Sequence, residues 1–178
     1  MTQSRWFIVS NRLPFKYLSN EQKLVSSSGG LVTAIKGIRT KKPMTWVGAL
    51  TDEVPPPQIK ELEKNDGLNY LPVELDLDLY RKYYNDFCND VLWPLLHYES
   101  EFVKYHKEAW DAYVKVNQEF AERLLQEVQT GDLVWVHDYH LFLLPGLLKK
   151  ERPDIRVGFF LHIPFPSSEV YRQLPVRK

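Results

Sequence analysis

Polar and ionisable residues follow three apolar segments of this sequence, each of which has the composition of a buried β-strand. Ser10, Asn11 and Arg12 come after the first segment, residues 137–140 after the second, and His162 after the third. The carboxyl ends of parallel strands meet at one edge of a sheet, where loops and helix N-termini form a ligand-binding crevice. Each residue alone is equally well explained as a cap or surface group, but the coincidence at three strand ends predicts a ligand site.

The second of these groups contains two histidines and a carboxylate, His137, Asp138 and His140, which are residue types that bind first-row metals. Their spacing matches no strong metal-binding motif, and the chain has no cysteine cluster to support one. Hydrogen bonding is therefore the favoured interpretation, with Asp138 accepting from substrate hydroxyls and His162 donating to one.

A serine- and glycine-rich stretch precedes a predicted helix that begins near Leu31. Residues 26–30 read Ser-Ser-Ser-Gly-Gly, so free backbone N–H groups and the helix dipole could meet a phosphate. The stretch has neither the dinucleotide-binding glycine pattern nor the P-loop pattern, and a flexible loop with a serine cap is the simpler interpretation. Tyr84 and Trp93 are typical of a core, although an aromatic ring can also stack on a sugar.

These residues need a scaffold, and the apolar segments predict a parallel α/β sheet. The predicted strands are residues 6–9, 45–47, 133–136 and 157–161, with a weaker candidate at 69–73. They show little alternation, as expected of strands that are covered on both faces. Predicted helices cover residues 31–38, 57–64, 77–89, 107–129 and 140–149. Strands that alternate with helices favour a parallel sheet with right-handed crossovers.

Composition and charge exclude several classes of protein. The 178 residues include 23 Lys and Arg against 23 Asp and Glu, and no basic block is long enough for a nucleic-acid partner. The longest apolar run, residues 141–148, is too short to span a membrane, and the N-terminus lacks the apolar core of a signal peptide. With a single cysteine, Cys88, the chain cannot form an internal disulfide, so we expect a cytoplasmic location. The length suits one domain.

Five motifs together resemble the trehalose-6-phosphate synthase family. They read Val-Ser-Asn-Arg-Leu-Pro at 9–14, Ser-Gly-Gly-Leu at 28–31, Tyr-Tyr-Asn at 83–85 leading to Leu-Trp-Pro at 92–94, Trp-Val-His-Asp-Tyr-His-Leu at 135–141, and Gly-Phe-Phe-Leu-His-Ile-Pro-Phe-Pro at 158–166. The resemblance implies a retaining glycosyltransferase of the GT-B type, with two Rossmann-like domains and the active site between them. It would transfer glucose from UDP-glucose to glucose 6-phosphate, giving α,α-trehalose 6-phosphate, and it would need no metal or cofactor.

The resemblance also implies roles for residues within these motifs. The catalytic residues would be Asp138 and His162, the acceptor-binding residues Arg12, Tyr84, Trp93 and Asp138, and the donor-binding residues Gly29, Gly30 and His162. Arg12 would pair with the acceptor phosphate, for which a guanidinium fork is well suited. Asp138 would bind and orient acceptor hydroxyls, since proximity and charge stabilisation lower much of the barrier.

The family pattern further implies that residues 1–178 are a truncated N-terminal, acceptor-side domain, and that the C-terminal nucleotide-sugar domain is absent. We therefore expect the 178-residue chain to be inactive alone, and the resemblance leaves homo-oligomer formation by a full-length protein open. One departure is Ala49, because many synthases have a tryptophan here that would form a wall of the acceptor pocket. This departure weakens the inference about the acceptor.

Two other functions remain open at this point. A glucosylglycerol-phosphate synthase would use a different acceptor and often ADP-glucose, and Tyr84 and Trp93 at the spacing of the trehalose enzymes argue against it. A regulatory or scaffold relative would have no catalytic role. The presence of Arg12, Gly30, Asp138 and His162 weighs against that alternative.

Overall fold

The computed structural model describes residues 4–18, 20–26, 29–38, 40–50 and 68–176, and the statements below refer to these residues. Seven strands occur in them: β1 Trp6–Arg12, β2 Phe15–Leu18, β3 Lys23–Ser26, β4 Met44–Ala49, β5 Asn69–Val73, β6 Leu133–His137 and β7 Arg156–Phe160. Five strands form one sheet in the order β5-β4-β1-β6-β7, and every neighbouring pair is parallel. The predicted parallel α/β sheet is therefore confirmed.

Helices connect and cover these strands. They are α1 Gly30–Lys36, α2 Leu77–Arg81, a π-helix at Lys82–Leu92, α3 Trp93–Leu96, α4 Lys107–Leu125, α5 Leu144–Glu151 and α6 Ser168–Tyr171, with short 3₁₀ segments at Ser100–Phe102 and Tyr139–Leu141. The first three helical segments after β5 follow one another without a break. Asp76 begins this run by accepting a hydrogen bond from the backbone N–H of Leu79 at 2.9 Å, which satisfies one free donor of the first turn.

The central strand β1 is apolar over residues 6–9 because both faces of the sheet are covered there. Phe7 and Val9 face a large core that contains the π-helix, α4 and α5, whereas Ile8 faces a smaller core that contains α1 and Trp46. Helix α4 contributes to the large core with a buried stripe. Its members are Ala109, Ala112, Tyr113, Val116, Asn117, Phe120, Ala121 and Leu124.

Several predicted elements differ from the structure in extent. The first strand continues to Arg12, so Ser10, Asn11 and Arg12 lie within the end of β1 and not after it. The predicted helix 140–149 is wrong at its start: a 3₁₀ turn comes first and α5 begins at Leu144, because Pro145 in its first turn lacks an N–H and fits only there. Helix α4 ends at Leu125, before the predicted residue 129.

Two further differences concern strands, and one prediction cannot be compared. The antiparallel hairpin β2–β3 is absent from the predicted elements, because two four-residue strands are too short to show a periodic pattern. Strand β7 was expected to be covered on both faces, but it forms the edge of the sheet, and Phe159 and Phe160 are exposed. The predicted helix 57–64 lies outside the described residues.

Candidate active site

A cavity of about 260 Å³ opens where the carboxyl ends of β1 and β6 meet the chain that leaves β7. Side chains from five parts of the chain line it: Ser10, Asn11 and Arg12; Leu31; Tyr84; His137, Asp138 and His140; and His162. Parallel strands place their carboxyl ends at one edge, which is why residues so distant in sequence meet here. The structure thus brings together four predicted site residues, Arg12, Tyr84, Asp138 and His162.

Arg12 is placed by a break in the register of β1. Val9 pairs with Val47 of β4, but Arg12 pairs with Ala49, so β1 contains one extra residue as a β-bulge. Gly48 permits the close approach of the two strands, because a Cβ at this position would lie 2.6 Å from the backbone carbonyl carbon of Arg12. Any larger residue at position 48 would have to push the end of β1 away.

The guanidinium of Arg12 lies over the ring of Tyr84, with Cζ 5.4 Å from the ring centroid. Tyr84 in turn stacks on Tyr80 at 5.7 Å and on His140 at 5.8 Å, with interplanar angles of 9° and 10°. A cation–π contact of this kind attracts the positive charge to the ring face. The aromatic stack therefore positions a guanidinium that suits a phosphate or carboxylate.

Asn11 connects the end of β1 to the helices that supply this stack. Its amide nitrogen donates to the hydroxyl of Tyr80 at 3.1 Å, and the hydroxyl of Tyr83 donates to its amide oxygen at 3.0 Å. The carbonyl of His140 accepts from Asn117 on α4 at 3.2 Å, and the Tyr83 hydroxyl lies 3.3 Å from the same carbonyl oxygen. One wall of the cavity is thus held by hydrogen bonds among half-buried and buried side chains and one backbone carbonyl.

Asp138 adopts a backbone conformation that few residues other than glycine tolerate. Its φ is 74° and its ψ is 165°, which costs of order 1–3 kcal/mol for a residue with a side chain. Hydrogen bonds hold it there: its N–H donates to the carbonyl of Phe160 at 2.8 Å, and its Oδ1 accepts from the N–H of Tyr139 at 3.0 Å and of His162 at 3.4 Å. The strain and these bonds together orient the carboxylate at the cavity.

His137 and His140, which lie at the carboxyl end of β6, are neutral near pH 7. Burial lowers the pKa of His140 to about 3, and the positive charge of Arg12 adds to this effect. Burial likewise lowers the pKa of His137 to about 4, with a further contribution from His162. Nδ1 of His140 lies 3.8 Å from Oδ2 of Asp138, which is longer than a hydrogen bond. Asp138 therefore keeps one oxygen available to a ligand.

Three of the predicted site residues do not line this cavity. Gly29 is the N-cap of α1 and Gly30 its first residue, two and one residues before the lining residue Leu31, and a Cβ at either would meet nothing within 4 Å. Trp93 is 45% exposed and packs on His97, with ring centroids 3.9 Å apart. Its ring lies 6.1 Å from that of Tyr139, the residue after Asp138, so Trp93 flanks the site from outside.

Ala49 also lies away from the cavity, in the core of the sheet, where it is 1% exposed. Its carbonyl accepts a hydrogen bond from the N–H of Leu13 at 3.0 Å. The expected loss of a pocket wall at this position therefore does not apply to the described cavity.

Sequence reasoning missed the roles of Asn11 and His140 in building the site. Both belong to the polar groups at strand ends, so the signal was present, but an Asn or His there is equally an ordinary surface residue. Their function depends on partners from α2, the π-helix and α4, which are distant in sequence.

Among the residues that the structure describes, no group of three or more His, Cys, Asp or Glu side chains is arranged to hold a metal ion. No helix within the described ranges is long and apolar enough to cross a membrane.

A five-stranded parallel sheet with a polar cavity at its carboxyl edge defines a Rossmann-like α/β domain with a candidate site for a small polar ligand. The model of glycosyltransferase family 20 matches residues 4–178, and the chain belongs to this family. The predicted fold, a Rossmann-like domain of a GT-B glycosyltransferase, is confirmed by solved structures of similar architecture.

Similar curated proteins carry one activity in their names. An alpha,alpha-trehalose-phosphate synthase [UDP-forming] from Emericella nidulans is 44% identical over 98% of this chain, and the chain covers 36% of that protein. Synthase A of the same name from Dictyostelium discoideum is also 44% identical over 98% of the chain, which covers 24% of it. The chain thus spans about a third or less of the length of these relatives.

Solved structures agree with these relatives. The E. coli protein bound with UDP-2-fluoro glucose superposes with a TM-score of 0.77 at 36% identity, covering 97% of this chain and 36% of that one. A synthase from Burkholderia xenovorans in complex with glucose-6-phosphate gives 0.75 at 30% identity, with 97% and 37% covered. The N-terminal domain of a Candida albicans trehalose-6-phosphate phosphatase gives 0.74 at 30% identity, with 98% and 36% covered.

Proposed function

We propose that the complete protein containing this chain transfers glucose from UDP-glucose to glucose 6-phosphate, with retention, to give α,α-trehalose 6-phosphate and UDP. The observation that carries this proposal is the convergence of Arg12, Asp138 and His162 on one cavity. Similar proteins are named for this activity, and similar structures hold a UDP-glucose analogue or glucose-6-phosphate. No resident metal or cofactor forms part of the proposal, and the reaction is assigned to the cytoplasm.

The chain is assigned to the acceptor-side half of this enzyme. The chain covers 36% of the Emericella nidulans relative, which leaves room for a second domain that binds the nucleotide. In the cavity, Arg12 is the cationic residue, whereas a nucleoside diphosphate needs several positive groups. The proposal therefore places the groups that bind the diphosphate outside residues 1–178, and it makes the isolated chain inactive.

On the acceptor side, Arg12 binds the phosphate of glucose 6-phosphate. Its guanidinium lies over Tyr84, and a guanidinium fork can bond two phosphate oxygens at once. The free oxygen of Asp138 accepts hydrogen bonds from sugar hydroxyls, because a carboxylate has acceptor atoms and no donor. Trp93 is assigned to the outer rim of the acceptor pocket, next to Tyr139.

On the donor side, His162 contacts the transferred glucose, and Gly29 and Gly30 leave their backbone open to the nucleotide sugar. The bond between C1 of glucose and the phosphate oxygen breaks, and UDP leaves with the electron pair. The acceptor hydroxyl oxygen bonds to C1 from the same face and gives its proton to the leaving phosphate. The residues orient both sugars and stabilise the positively charged sugar in between.

The test is a panel of donors and acceptors on the complete protein. UDP-glucose and ADP-glucose are each combined with glucose 6-phosphate and with glycerol 3-phosphate, and the phosphorylated product is identified by mass spectrometry. We expect turnover with UDP-glucose and glucose 6-phosphate, and the α,α linkage in the product by NMR. Turnover with glycerol 3-phosphate alone would favour a glucosylglycerol-phosphate synthase, and turnover by the isolated 178-residue chain would refute the domain assignment.

A second candidate, a relative without synthase activity, is favoured by one observation. The similar Candida albicans domain belongs to a protein named for phosphatase activity, so this fold also occurs outside the proteins named as synthases. In a relative without synthase activity, we would expect the residues that line the cavity to be replaced. The proposal of a synthase rests on their presence, and a complete panel without turnover would select the second candidate.

A further inference from the structure

His137 ends β6 at the cavity, and the proposed reaction gives it no role. Its side chain is buried, with 3% of the residue exposed. The ring is packed between aromatic neighbours, 4.7 Å from Trp135 and 5.2 Å from His162 between centroids. Among the residues that the structure describes, its ring makes one polar contact, which joins Nδ1 of His137 to Nε2 of His162 at 3.0 Å. A buried side chain thus touches the ring that we assign to the transferred glucose.

A hydrogen bond between two ring nitrogens requires a proton on one of them. Burial lowers the pKa of His137 to about 4, so this ring is neutral near pH 7 and carries one N–H and one bare nitrogen. In one arrangement, Nδ1–H of His137 donates and its Nε2 is bare. In the other, Nε2–H of His162 donates, and His137 must carry its own proton on Nε2.

The surroundings of Nε2 in His137 favour the first arrangement. This nitrogen is buried and has no hydrogen-bond partner within the described part of the chain. A buried N–H without a partner is rarer in proteins than a buried acceptor without one. If Nε2 of His137 is bare, then Nε2 of His162 accepts, and neutral His162 carries its proton on Nδ1.

We propose that His137 is a positioning residue that sets the tautomer and ring orientation of His162. It donates from Nδ1 to Nε2 of His162, which leaves Nδ1–H of His162 as a donor to a hydroxyl of the sugar in the cavity. Asp138 holds the backbone of the same residue, because its Oδ1 accepts from the N–H of His162 at 3.4 Å. The inference rests on the proposed function only for the identity of the ligand that His162 meets.

Two variants of the complete enzyme test this role through activity. In His137→Asn, the amide N–H lies close to the position of Nδ1 and can still donate, whereas His137→Leu has similar bulk and no donor. We expect His137→Leu to lower kcat about tenfold while KM for glucose 6-phosphate changes little, and His137→Asn to recover to within about threefold of the unmodified enzyme. An equal loss in both variants, with both folded by circular dichroism, would overturn the proposal.

A second measurement does not depend on turnover. In the enzyme labelled with ¹⁵N-histidine, the ring nitrogen shifts of His162, assigned by comparison with His162→Ala, report which nitrogen carries the proton. We expect Nδ1–H in the unmodified enzyme and loss of this preference in His137→Leu. A proton on Nε2 of His162 in the unmodified enzyme would overturn the proposal. The expected tautomer together with unchanged turnover in His162→Ala would leave the positioning intact and refute the proposed role of His162.

Discussion

Both ends of the parallel sheet contain charged side chains, but, among the residues described, a carboxylate and an arginine pair with each other only at the amino end. At the amino ends of β1 and β6, Asp132 accepts hydrogen bonds from the backbone N–H and the guanidinium of Arg5, at 2.9 and 2.8 Å, and from the N–H of Gln129 at 2.9 Å. Burial alone would raise the pKa of Asp132, but these bonds from Arg5 and Gln129 together lower it. This end is a closed arrangement that stabilises the fold.

The carboxyl end of the same strands is left incomplete. Arg12 lies over a tyrosine ring, and ring nitrogens of His137 and His140 are buried without hydrogen-bond partners in the described residues. Asp138 is held in a strained backbone conformation with one free carboxylate oxygen. Buried unpaired groups and backbone strain cluster at ligand sites in proteins, so we expect the carboxyl end to serve function and the Asp132 arrangement to serve stability.

The largest expected effect is the loss of activity on removal of the Asp138 carboxylate. Asp138→Ala in the complete enzyme should lower kcat/KM for transfer at least about a hundredfold, because the acceptor loses its orienting acceptor group. Steady-state kinetics with UDP-glucose and glucose 6-phosphate measure this effect. Near-normal kcat/KM in a folded Asp138→Ala enzyme would refute the proposed role of Asp138 in transfer.

At the amino end of the sheet, we expect a substitution to change stability and not turnover. Asp132→Ala leaves the partly buried guanidinium of Arg5 without its partner, and we expect the free energy of unfolding to fall by about 2 kcal/mol, measured by urea denaturation. The activity of the folded enzyme should be unchanged. Asp154→Ala is the matched control, because Asp154 also pairs with an arginine but its side chain is 34% exposed, against 3% for Asp132, and it should be affected much less.

The two ends should also lose stability in different ranges of pH. His137 and His140 have folded pKa values of about 4 and 3, below the ordinary value of 6.5, so the unfolded chain binds protons first as pH falls. Stability should therefore decline as pH falls from about 6.5 toward 4, by up to about 1.4 kcal/mol per pH unit for each histidine. The contribution of Asp132 is present above its unfolded pKa of about 3.9 and is lost only at lower pH.

His140→Phe tests how much His140 contributes to the loss of stability between pH 6.5 and 4. Phenylalanine keeps an aromatic ring against Tyr84 but cannot be protonated, so the slope of unfolding free energy against pH between 4 and 6.5 should become shallower. Thermal denaturation at a series of pH values measures it. An unchanged slope would show that His140 does not contribute to acid destabilisation.

The smallest expected effect is a gain in stability at position 138, where we also expect the aspartate side chain to be needed for activity. Asp138→Gly removes the side chain from a backbone conformation that glycine adopts freely, which should raise the free energy of unfolding by about 1 kcal/mol relative to Asp138→Ala. Both variants should be inactive. Equal stability of the glycine and alanine variants would show that the strain at position 138 is negligible.

The sequence predicts the elements that have strong patterns and misses those that depend on distant partners. The apolar strands at β1, β4, β5 and β6 and the stripe of α4 are visible because burial on the sheet requires them. Strand β7 is visible from its composition, although it lies at the exposed edge of the sheet. The hairpin β2–β3 and the bulge before Arg12 leave no periodic signal. Gly48 shows why: its small size is required by a neighbouring strand that is distant in sequence.

For the site, the residue types and their positions at strand ends predicted Arg12, Asp138 and His162, because parallel strands bring their carboxyl ends to one edge. The sequence alone also indicated the family, since its motifs are local. Only the tertiary structure decided that Trp93 lies outside the cavity, that His140 stacks on Tyr84, and that Asp138 is strained. These properties arise from contacts between separate elements, and a linear sequence does not contain the distances that determine them.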